Sequence, residues 1–249
     1  MSLQKINNIS SPEEINSIAY ADIAKLGGID VVHSFVASGS PVAWFSADSL
    51  GLSEDDPVSS WTDLTGNGNH LIAPSGKEPV IKEDIVNGLP SVFFNGGQFM
   101  EFSHTPMTQP LTVFMVFRHE AFEAVWYHSG NSVAGDRLDY TTNSNFALYS
   151  PPVPSYVATG FSTSPWPYTK LSIVSWNGAS SNERQNGVQG SDIDAGTGAP
   201  AGLSIGAQWN GTAGFANLFY MCELIIYDGS ENYLANEVGL AYKYGIVLP

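Results

Sequence analysis

The chain has 249 residues, of which 43% are hydrophobic and 12% aromatic, so it can bury a sizeable core and is not a disordered chain. Its net charge of −15, with only nine Lys and Arg residues, excludes nucleic acid and an anionic membrane surface as partners, because both need clustered positive charge. Cys222 is the single cysteine and excludes an intrachain disulfide; its apolar neighbours predict a buried, unreactive thiol.

Charged residues make up only 13% of the chain, whereas Gly (25) and Pro (15) are plentiful. This balance favours short strands joined by turns over helices, which prefer Glu, Lys, Arg and Ala. The first residues lack the apolar run of a signal peptide, and no stretch approaches the roughly 18 apolar residues of a membrane span. We therefore expect a β-domain without a membrane segment.

Residues 1–40 differ from the rest of the chain. The motif Ser-Pro-Glu-Glu at 11–14 predicts a helix start, with Ser as the N-cap, Pro at the first helical position and Glu closing a capping box. The helix that follows, over about 12–26, carries one apolar stripe formed by Ile15, Ile18, Ile23 and Leu26. A short helix is marginal alone, so this stripe packs either on the chain's own β-domain or on a partner or symmetry mate.

Residues 41–228 carry the pattern of β-strands. The segment 111–117 is almost entirely apolar, β-branched or aromatic, which predicts a central strand covered on both faces. Shorter strand-like runs lie around 125–127, 146–149, 171–176, 203–206 and 219–227. Turns with positive φ are predicted at Asn67-Gly68, Asn87-Gly88, Asn95-Gly96, Asn186-Gly187 and Asn210-Gly211. Short strands with no intervening helical pattern indicate a two-sheet sandwich.

Two further segments complete the pattern. Residues 150–168 contain five prolines and predict a long surface loop. Near the C-terminus, Ser230 caps and Gly245 ends a predicted helix, in which Lys243 suits the negative end of the helix dipole. We expect the helix to lie across one edge or end of the sandwich through an apolar face formed by Leu234, Val238, Ala241 and Tyr242.

Three stretches near the start of the β-region carry a family resemblance: PVAWFSAD at 41–48, VSSWTDLTGNGN at 58–69 and NGLPSVFFNG at 87–96. Three later stretches follow in the matching order, at 203–207, 223–228 and 240–246. Together they resemble the concanavalin A-like, laminin-G-like jelly-roll family. The resemblance implies an all-β, two-sheet antiparallel jelly-roll sandwich over residues 41–249. This family includes sugar-binding lectins, glycan hydrolases and structural modules, so the fold alone leaves function open.

The stretch 20–29 is similar to segments that precede such domains in bacteriophage structural proteins. This resemblance implies a protein on the surface of a phage particle, either a capsid decoration or a tail or fibre component. Residues 1–40 would then attach it to other virion proteins, and we favour a homotrimer because oligomers usually close with symmetry. The alternative is a carbohydrate-binding module that recognises a host-surface polysaccharide.

The sequence lacks three common catalytic patterns. Glucanases of this fold usually carry Glu-x-Asp-x-x-Glu on one strand, and the nearest string, DIDAGT at 192–197, lacks the last acid. No Gly-x-Ser-x-Gly motif occurs. No His-x-x-x-His pairing is formed by the five histidines His33, His70, His104, His119 and His128. We therefore expect that the chain is not an enzyme and hydrolyses no polysaccharide.

A structural role explains the motif around Trp61 better than a metal-binding or catalytic role does. Trp61 can fill the core, and Asp63 can accept backbone N–H bonds in a turn whose glycines supply positive φ. A metal-ligand role for Asp63 is the less favoured alternative. Glu223 stands among strand residues, and we expect it on an outer face or bonded to a loop.

Calcium and sugar are the ligands that the sequence leaves open. The acidic groups at 54–56 and at Asp192 and Asp194 offer oxygen ligands but lack the spacing of a calcium loop, so we favour solvated loops and predict no cofactor. Sugar binding needs exposed aromatic faces beside amides or carboxylates. The candidates are Tyr156, Trp166, Tyr168, Trp209 and Asn210; the alternative is that they anchor loops on the sandwich.

Overall fold

The computed structural model describes residues 35–103, 107–120, 127–130, 137–141, 145–150, 157–162, 167–200, 202–207, 218–229 and 234–249. Within these ranges the chain forms strands, two one-turn 3-10 helices (Ala47–Ser49 and Gly178–Ser180) and the helix α1 (Leu234–Lys243). The strands are β1 Ala43–Ser46, β2 Ser60–Trp61, β3 Leu71–Ile72, β4 Val80–Val86, β5 Leu89–Asn95, β6 Met100–Ser103, β7 Leu111–His119, β8 Tyr127–Gly130, β9 Arg137–Thr141, β10 Asn145–Tyr149, β11 Val157–Ser162, β12 Tyr168–Trp176, β13 Asn182–Gln185, β14 Val188–Gln189, β15 Gly202–Ile205 and β16 Leu218–Asp228. In this part of the chain, no helix is long and apolar enough to cross a membrane.

The strands form two antiparallel sheets. Sheet A has the order β14-β13-β12-β7-β16-β5-β4, and β1 pairs with β16 beside this path. Sheet B has the order β11-β10-β9-β8-β15-β6-β3-β2. One apolar core joins the sheets and includes Phe45 and Phe94 from sheet A and Trp61, Phe102 and Phe146 from sheet B. The expected all-β, two-sheet antiparallel sandwich is confirmed.

Strand β7 lies inside sheet A and is buried on both faces, as its apolar sequence predicts. Val113, Met115 and Phe117 belong to the core between the sheets. Phe114 and Val116 belong to the opposite, outer face of sheet A and are also fully buried. Sheet A is therefore covered on both sides along the apolar part of β7.

Two hairpin turns confirm predicted positions of positive φ. Asn87 and Gly88, between β4 and β5, have φ of 53° and 72°, and Asn186 and Gly187, between β13 and β14, have φ of 46° and 84°. Two successive residues with positive φ match the twist of the flanking strands, which explains the Asn-Gly pairs. The predicted Asn210-Gly211 turn lies outside the described residues.

The prediction of one long loop over 150–168 is wrong. Strand β11 lies inside this segment and pairs with β10, while Tyr168 is already the first residue of β12. The prolines occur only on either side of β11, so its backbone N–H groups remain available for the sheet. Thr159 adds a bond from its hydroxyl to the carbonyl oxygen of Phe146, at 3.2 Å.

The C-terminal helix and its end are confirmed, but its position and its buried face differ from the prediction. α1 packs on the outer face of sheet A, where Asn236 Nδ2 donates to the hydroxyl of Tyr227 at 2.8 Å. Gly245, with φ of 64°, ends it, and the backbone N–H of Ile246 donates to the carbonyl of Ala241. Leu234, predicted to face the sandwich, is 47% exposed.

The buried face of α1 contains polar residues because sheet A supplies hydrogen-bond and ion-pair partners for them. The buried residues of the helix are Asn236, Glu237, Leu240, Ala241 and Lys243. Glu237 accepts from Arg184 Nε of β13 at 2.8 Å. Val238 and Tyr242, which the pattern assigns to the inner face, are only partly buried.

Residues Val36–Pro249 form one compact unit. Ser38, which the sequence assigns to the N-terminal segment, donates from its backbone N–H and its hydroxyl to Asn236 Oδ1, at 2.8 and 2.9 Å. Its carbonyl oxygen accepts from the Tyr227 hydroxyl. The predicted helix over 12–26 lies outside the described residues, with its stripe Ile15, Ile18, Ile23 and Leu26.

Candidate functional site

A row of polar residues crosses sheet B at directly paired positions. Glu101 of β6 pairs with Ser204 of β15, which pairs on its other side with His128 of β8. His128 pairs with Asp139 of β9, and Asp139 pairs with Tyr149 of β10. Paired positions in neighbouring strands belong to the same face of a sheet. We call these five residues the polar row.

The polar row belongs to the outer face of sheet B. The neighbours of Glu101 along β6, Met100 and Phe102, lie in the core between the sheets, and so do Leu203 and Ile205 beside Ser204. Because successive residues of a strand alternate between faces, Glu101 and Ser204 belong to the side away from the core.

Two oxygen atoms at the start of the polar row have no hydrogen-bond partner among the described residues. They are Ser204 Oγ, on a fully buried residue, and Glu101 Oε2, which is itself enclosed. An enclosed polar atom without a partner costs about 1–3 kcal/mol, so such atoms concentrate where a ligand or an ordered water completes the bonding. Ile72 pairs with Glu101 on its other side and is 49% exposed, which adds an apolar surface.

The spacing of the strands sets the length of the polar row. Neighbouring strands lie about 4.8 Å apart, so the row extends about 19 Å across five strands. The backbone positions of Glu101 and Asp139 are three strands apart, about 14 Å. The polar row therefore places polar residue types at successive positions across five neighbouring strands.

A second concave feature is an open cleft of about 1130 Å³ beside the start of β1. We call it the β1 cleft. Its wall combines apolar residues with amide, hydroxyl and carboxylate groups, among them Val42, Trp44, Leu64, Asn67, Asn69, Ser103, Met107 and Asp228.

The turn that borders the β1 cleft is organised around Asp63, as the sequence predicts. This buried carboxylate accepts from the backbone N–H groups of Trp44, Thr65 and Asn69 at 3.0–3.1 Å, and from the Thr65 hydroxyl. Burial alone would raise the pKa of Asp63, but the bonds from Thr65, Trp44 and Asn69 outweigh it and hold the pKa below its usual value. The carboxylate is thereby committed to the turn.

The same turn holds the first strand in place. Asn67 Nδ2 donates to the carbonyl oxygens of Pro41 and Val42, at 3.2 and 3.0 Å, and Asn69 Nδ2 donates to that of Val42 at 2.8 Å. The backbone of Trp44 is held by two bonds: its N–H donates to Asp63, and its carbonyl oxygen accepts from the backbone N–H of Leu64. One wall of the β1 cleft is therefore built from residues whose positions are set by hydrogen bonds.

Behind Trp44 lies a buried ion pair. Glu223 Oε1 accepts from Trp44 Nε1 at 2.5 Å, while Oε2 accepts from Lys243 Nζ at 2.8 Å, Ser46 Oγ at 2.7 Å and the Tyr244 hydroxyl at 2.6 Å. Burial raises the pKa of Tyr244, and the neighbouring Glu223 charge raises it further. Lys243, predicted only to face the helix dipole, is 3% exposed and joins α1 to sheet A.

A β-bulge places Glu223 in this pair. Met221 pairs with Phe117 of the core, but Glu223 pairs with Val116 of the outer face, so Cys222 is an extra residue in β16. Glu223 therefore lies on an outer face as expected, although α1 covers that face. Burial raises the pKa of the Cys222 thiol to about 12, in keeping with the predicted unreactive cysteine.

Of the sugar-binding candidates of the sequence, only Tyr168 lies within the described residues, so their grouping into one site stays a prediction. Tyr168 begins β12, packs against the core and stacks on His119 with 5.6 Å between ring centroids. Tyr156, Trp166, Trp209 and Asn210 lie outside the described residues. The residues of the polar row form no motif in the sequence, because only strand pairing makes them neighbours.

The acidic groups considered for calcium have other contacts. Glu54 and Asp55 form ion pairs with Lys82 at 2.8 and 2.5 Å, and Asp194 accepts from the backbone N–H of Gly196. Within the described ranges, no three His, Cys, Asp or Glu side chains are grouped so that they could hold a metal ion.

No protein-family model and no curated protein matches this sequence. Solved structures share the fold. Trypanosoma rangeli sialidase in complex with sialic acid is 13% identical, with a TM-score of 0.56 over 84% of this chain and 33% of that chain. A mutant of the same sialidase displaying trans-sialidase activity is 12% identical, with a TM-score of 0.56 over 87% and 35%. An arabinofuranosidase complexed with arabinofuranosyl-α-1,2-xylobiose is 11% identical, with a TM-score of 0.50 over 86% and 62%.

At these identities the likeness shows the fold, a β-sandwich that also occurs in glycosidases. The chain spans about a third of the length of the sialidases. The matches contradict the expectation that the chain is not an enzyme, because the proteins that share its fold are named sialidase and arabinofuranosidase. That expectation rested on motifs within single segments, which do not register residues brought together across strands. The matches give no support to a phage particle as the location.

Proposed function

We propose that this chain is a carbohydrate-recognising β-sandwich module that binds a glycan along the polar row of sheet B. The observation that carries the proposal is the pair of enclosed oxygens without partners, Ser204 Oγ and Glu101 Oε2, at adjacent positions of one face. The solved proteins of this fold support the ligand class, since they are named for sialic acid and for an arabinofuranosyl xylobiose.

A sugar suits this face physically. Each hydroxyl group both donates and accepts, so one sugar ring can bond to the Glu101 carboxylate and, once the groups that enclose it move aside, to Ser204 Oγ as well. The exposed part of Ile72 beside Glu101 offers an apolar contact for the C–H face of a ring. The length of the polar row, about 19 Å, accommodates several rings in succession.

The test is a glycan array followed by titration calorimetry on the full chain. Ser204→Ala should abolish or weaken binding at least about tenfold without lowering Tm, because Ser204 Oγ has no partner among the described residues to lose. Glu101→Gln should weaken binding similarly. Glu83→Gln, the same change at an exposed position of β4 in sheet A, is the matched control and should bind normally.

Two results would overturn the proposal: an array without hits, or hits whose affinity neither Ser204→Ala nor Glu101→Gln alters. Release of reducing ends from each bound glycan is measured on the same proteins. Release that disappears in Glu101→Gln while binding persists would assign chemistry, in addition to binding, to the polar row.

We also propose, on the sequence resemblance alone, that residues 1–40 attach this module to other proteins of a phage particle as a trimer. Electron microscopy of particles labelled for this protein tests the location. Label on the particle surface supports the proposal, and label absent from purified particles contradicts it.

A further inference from the structure

We propose that the β1 cleft is a second binding site, for a neutral saccharide. The inference shares the ligand class, glycan, with the proposed function, but it rests on different residues at the start of β1. The two can therefore be confirmed or refuted separately.

The first argument is that Trp44, which borders the cleft, is held in a fixed position. Trp44 lines the β1 cleft and is half-buried, with its indole N–H committed to Glu223 at 2.5 Å. Its backbone N–H and carbonyl are bonded to Asp63 and Leu64. A sugar ring that packs against a fixed aromatic side chain avoids the entropic cost of ordering that side chain.

The second argument is a set of acceptors around this wall. Asn67 and Asn69 use their Nδ2 groups on backbone carbonyls, whereas neither Oδ1 has a hydrogen-bond partner among the described residues. Ser103 and Asp228 are exposed on the same cleft. A wall of aromatic and aliphatic side chains with a few well-placed polar groups is typical of small-molecule sites, which usually measure about 300–1,000 Å³. The β1 cleft, at about 1130 Å³, has room for two or three sugar rings.

The third argument concerns charge. Among the described residues that line the cleft there is no Lys, Arg or His, and Asp228 is the one ionisable residue of that set. An anionic ligand would meet a carboxylate with no cation to offset it, in a chain of net charge −15. A neutral saccharide supplies hydroxyl donors to the amide and carboxylate oxygens at no such electrostatic cost. The chemistry of the cleft therefore selects neutral over acidic sugars.

The experiment is an NMR titration of the ¹⁵N-labelled full chain with maltotriose, xylotriose and arabinotriose, and with 3′-sialyllactose as the acidic probe. Neutral trisaccharides should shift the amide signals of Trp44 and Asn69, and sialyllactose should shift them less. The double variant Ser103→Ala/Asp228→Asn should raise the cleft Kd at least about tenfold, since two hydrogen bonds are weakened or lost. Asp84→Asn, at an exposed carboxylate of β4, is the control and should leave Kd unchanged.

Three outcomes would refute the inference: no shift at Trp44 and Asn69 with any neutral trisaccharide, larger shifts with sialyllactose, or a cleft Kd unaffected by the double variant. Shifts confined to the neighbourhood of Ser204 would refute it while supporting the proposed function. Shifts confined to the β1 cleft would do the reverse.

Discussion

Gly206, just after β15, shows how closely the sheets approach at one residue. Its φ is +91°, and a Cβ there would lie 2.6 Å from both the Gln98 carbonyl oxygen and Phe94 Cδ1. Gly68 also has positive φ, +83°, but open space surrounds its Cβ position. Comparing substitutions at the two glycines therefore separates the cost of backbone strain from the cost of steric overlap.

We predict that Gly206→Ala lowers the free energy of unfolding by about 3 kcal/mol or more, because strain and overlap add. Gly68→Ala should cost only about 1 kcal/mol, since strain acts alone. Urea unfolding of both variants measures the difference. Equal costs would show that the contacts of Gly206 relax without penalty.

Asp63 makes stability depend on pH with a definite sign. Its pKa in the folded state lies below the usual value, so it stabilises the fold above that usual value. The contribution is lost as the pH falls through the folded-state pKa. Asp63→Asn should therefore lower the unfolding free energy by about 2 kcal/mol near neutral pH, with a gap to wild type that narrows in acid. Unfolding followed from neutral to strongly acidic pH tests this, and a constant gap would contradict it.

Residues in local motifs were predictable, and residues joined by strand pairing were not. Trp61, Asp63 and the buried Cys222 follow from a few neighbouring letters, because turn and core requirements are local. Glu101 and Ser204 are more than a hundred positions apart, and only the register of β6 with β15 makes them neighbours. A pattern within one segment contains no information about that register.

At the level of elements, α1 shows why an apolar stripe can mislead. The pattern assigns Leu234 to the buried face and predicts for Lys243 only that it suits the negative end of the helix dipole. In the structure Leu234 is exposed and Lys243 is buried, because the cost of burying its charge is offset by Glu223, Ser46 and Asp48 on other elements. The existence of the helix and its end at Gly245 were predictable from the sequence, whereas its orientation depended on distant partners. Ser230, the predicted N-cap, lies outside the described residues.

We predict that Lys243→Met destabilises the protein by about 3–5 kcal/mol, because Glu223 then remains buried without its cation. The double variant Glu223→Gln/Lys243→Met should cost clearly less than the two single variants together, since neither charge is left alone. Thermal or chemical unfolding of the three variants measures the coupling. Additive costs would mean that Glu223 and Lys243 do not stabilise each other.

For the whole molecule, composition and turn residues were sufficient to predict the class of fold. Few charges, many glycines and Asn-Gly turns imply a sandwich whichever strands pair. The outer face of sheet B and the β1 cleft, the surfaces that we propose for binding, are assembled by strand pairing and by distant loops, so identifying them required the structure.

We predict that deleting residues 1–36 leaves a soluble, cooperatively folding monomer that no longer joins larger assemblies. Ser38 remains in this variant and keeps its bonds to Asn236 and Tyr227. Analytical ultracentrifugation of the full chain and the deletion variant, with thermal unfolding of both, tests the prediction. A deletion variant that unfolds, beside a full chain that is monomeric at high concentration, would assign the segment to the domain's own core.

The bulge in β16 divides one strand into two halves that are out of step with each other. Met221 in the first half and Leu224 in the second both contribute to the core, although an uninterrupted strand would send them to opposite faces. Without Cys222, Met221, Glu223 and Leu224 would be consecutive, and strict alternation would keep Met221 and Leu224 in the core and Glu223 on the outer face. Cys222 is therefore not what sends these side chains to their faces: a chain that lacks it should keep the pairing of Met221 with Phe117 and of Glu223 with Val116 and lose only the local bend and added twist of the bulge.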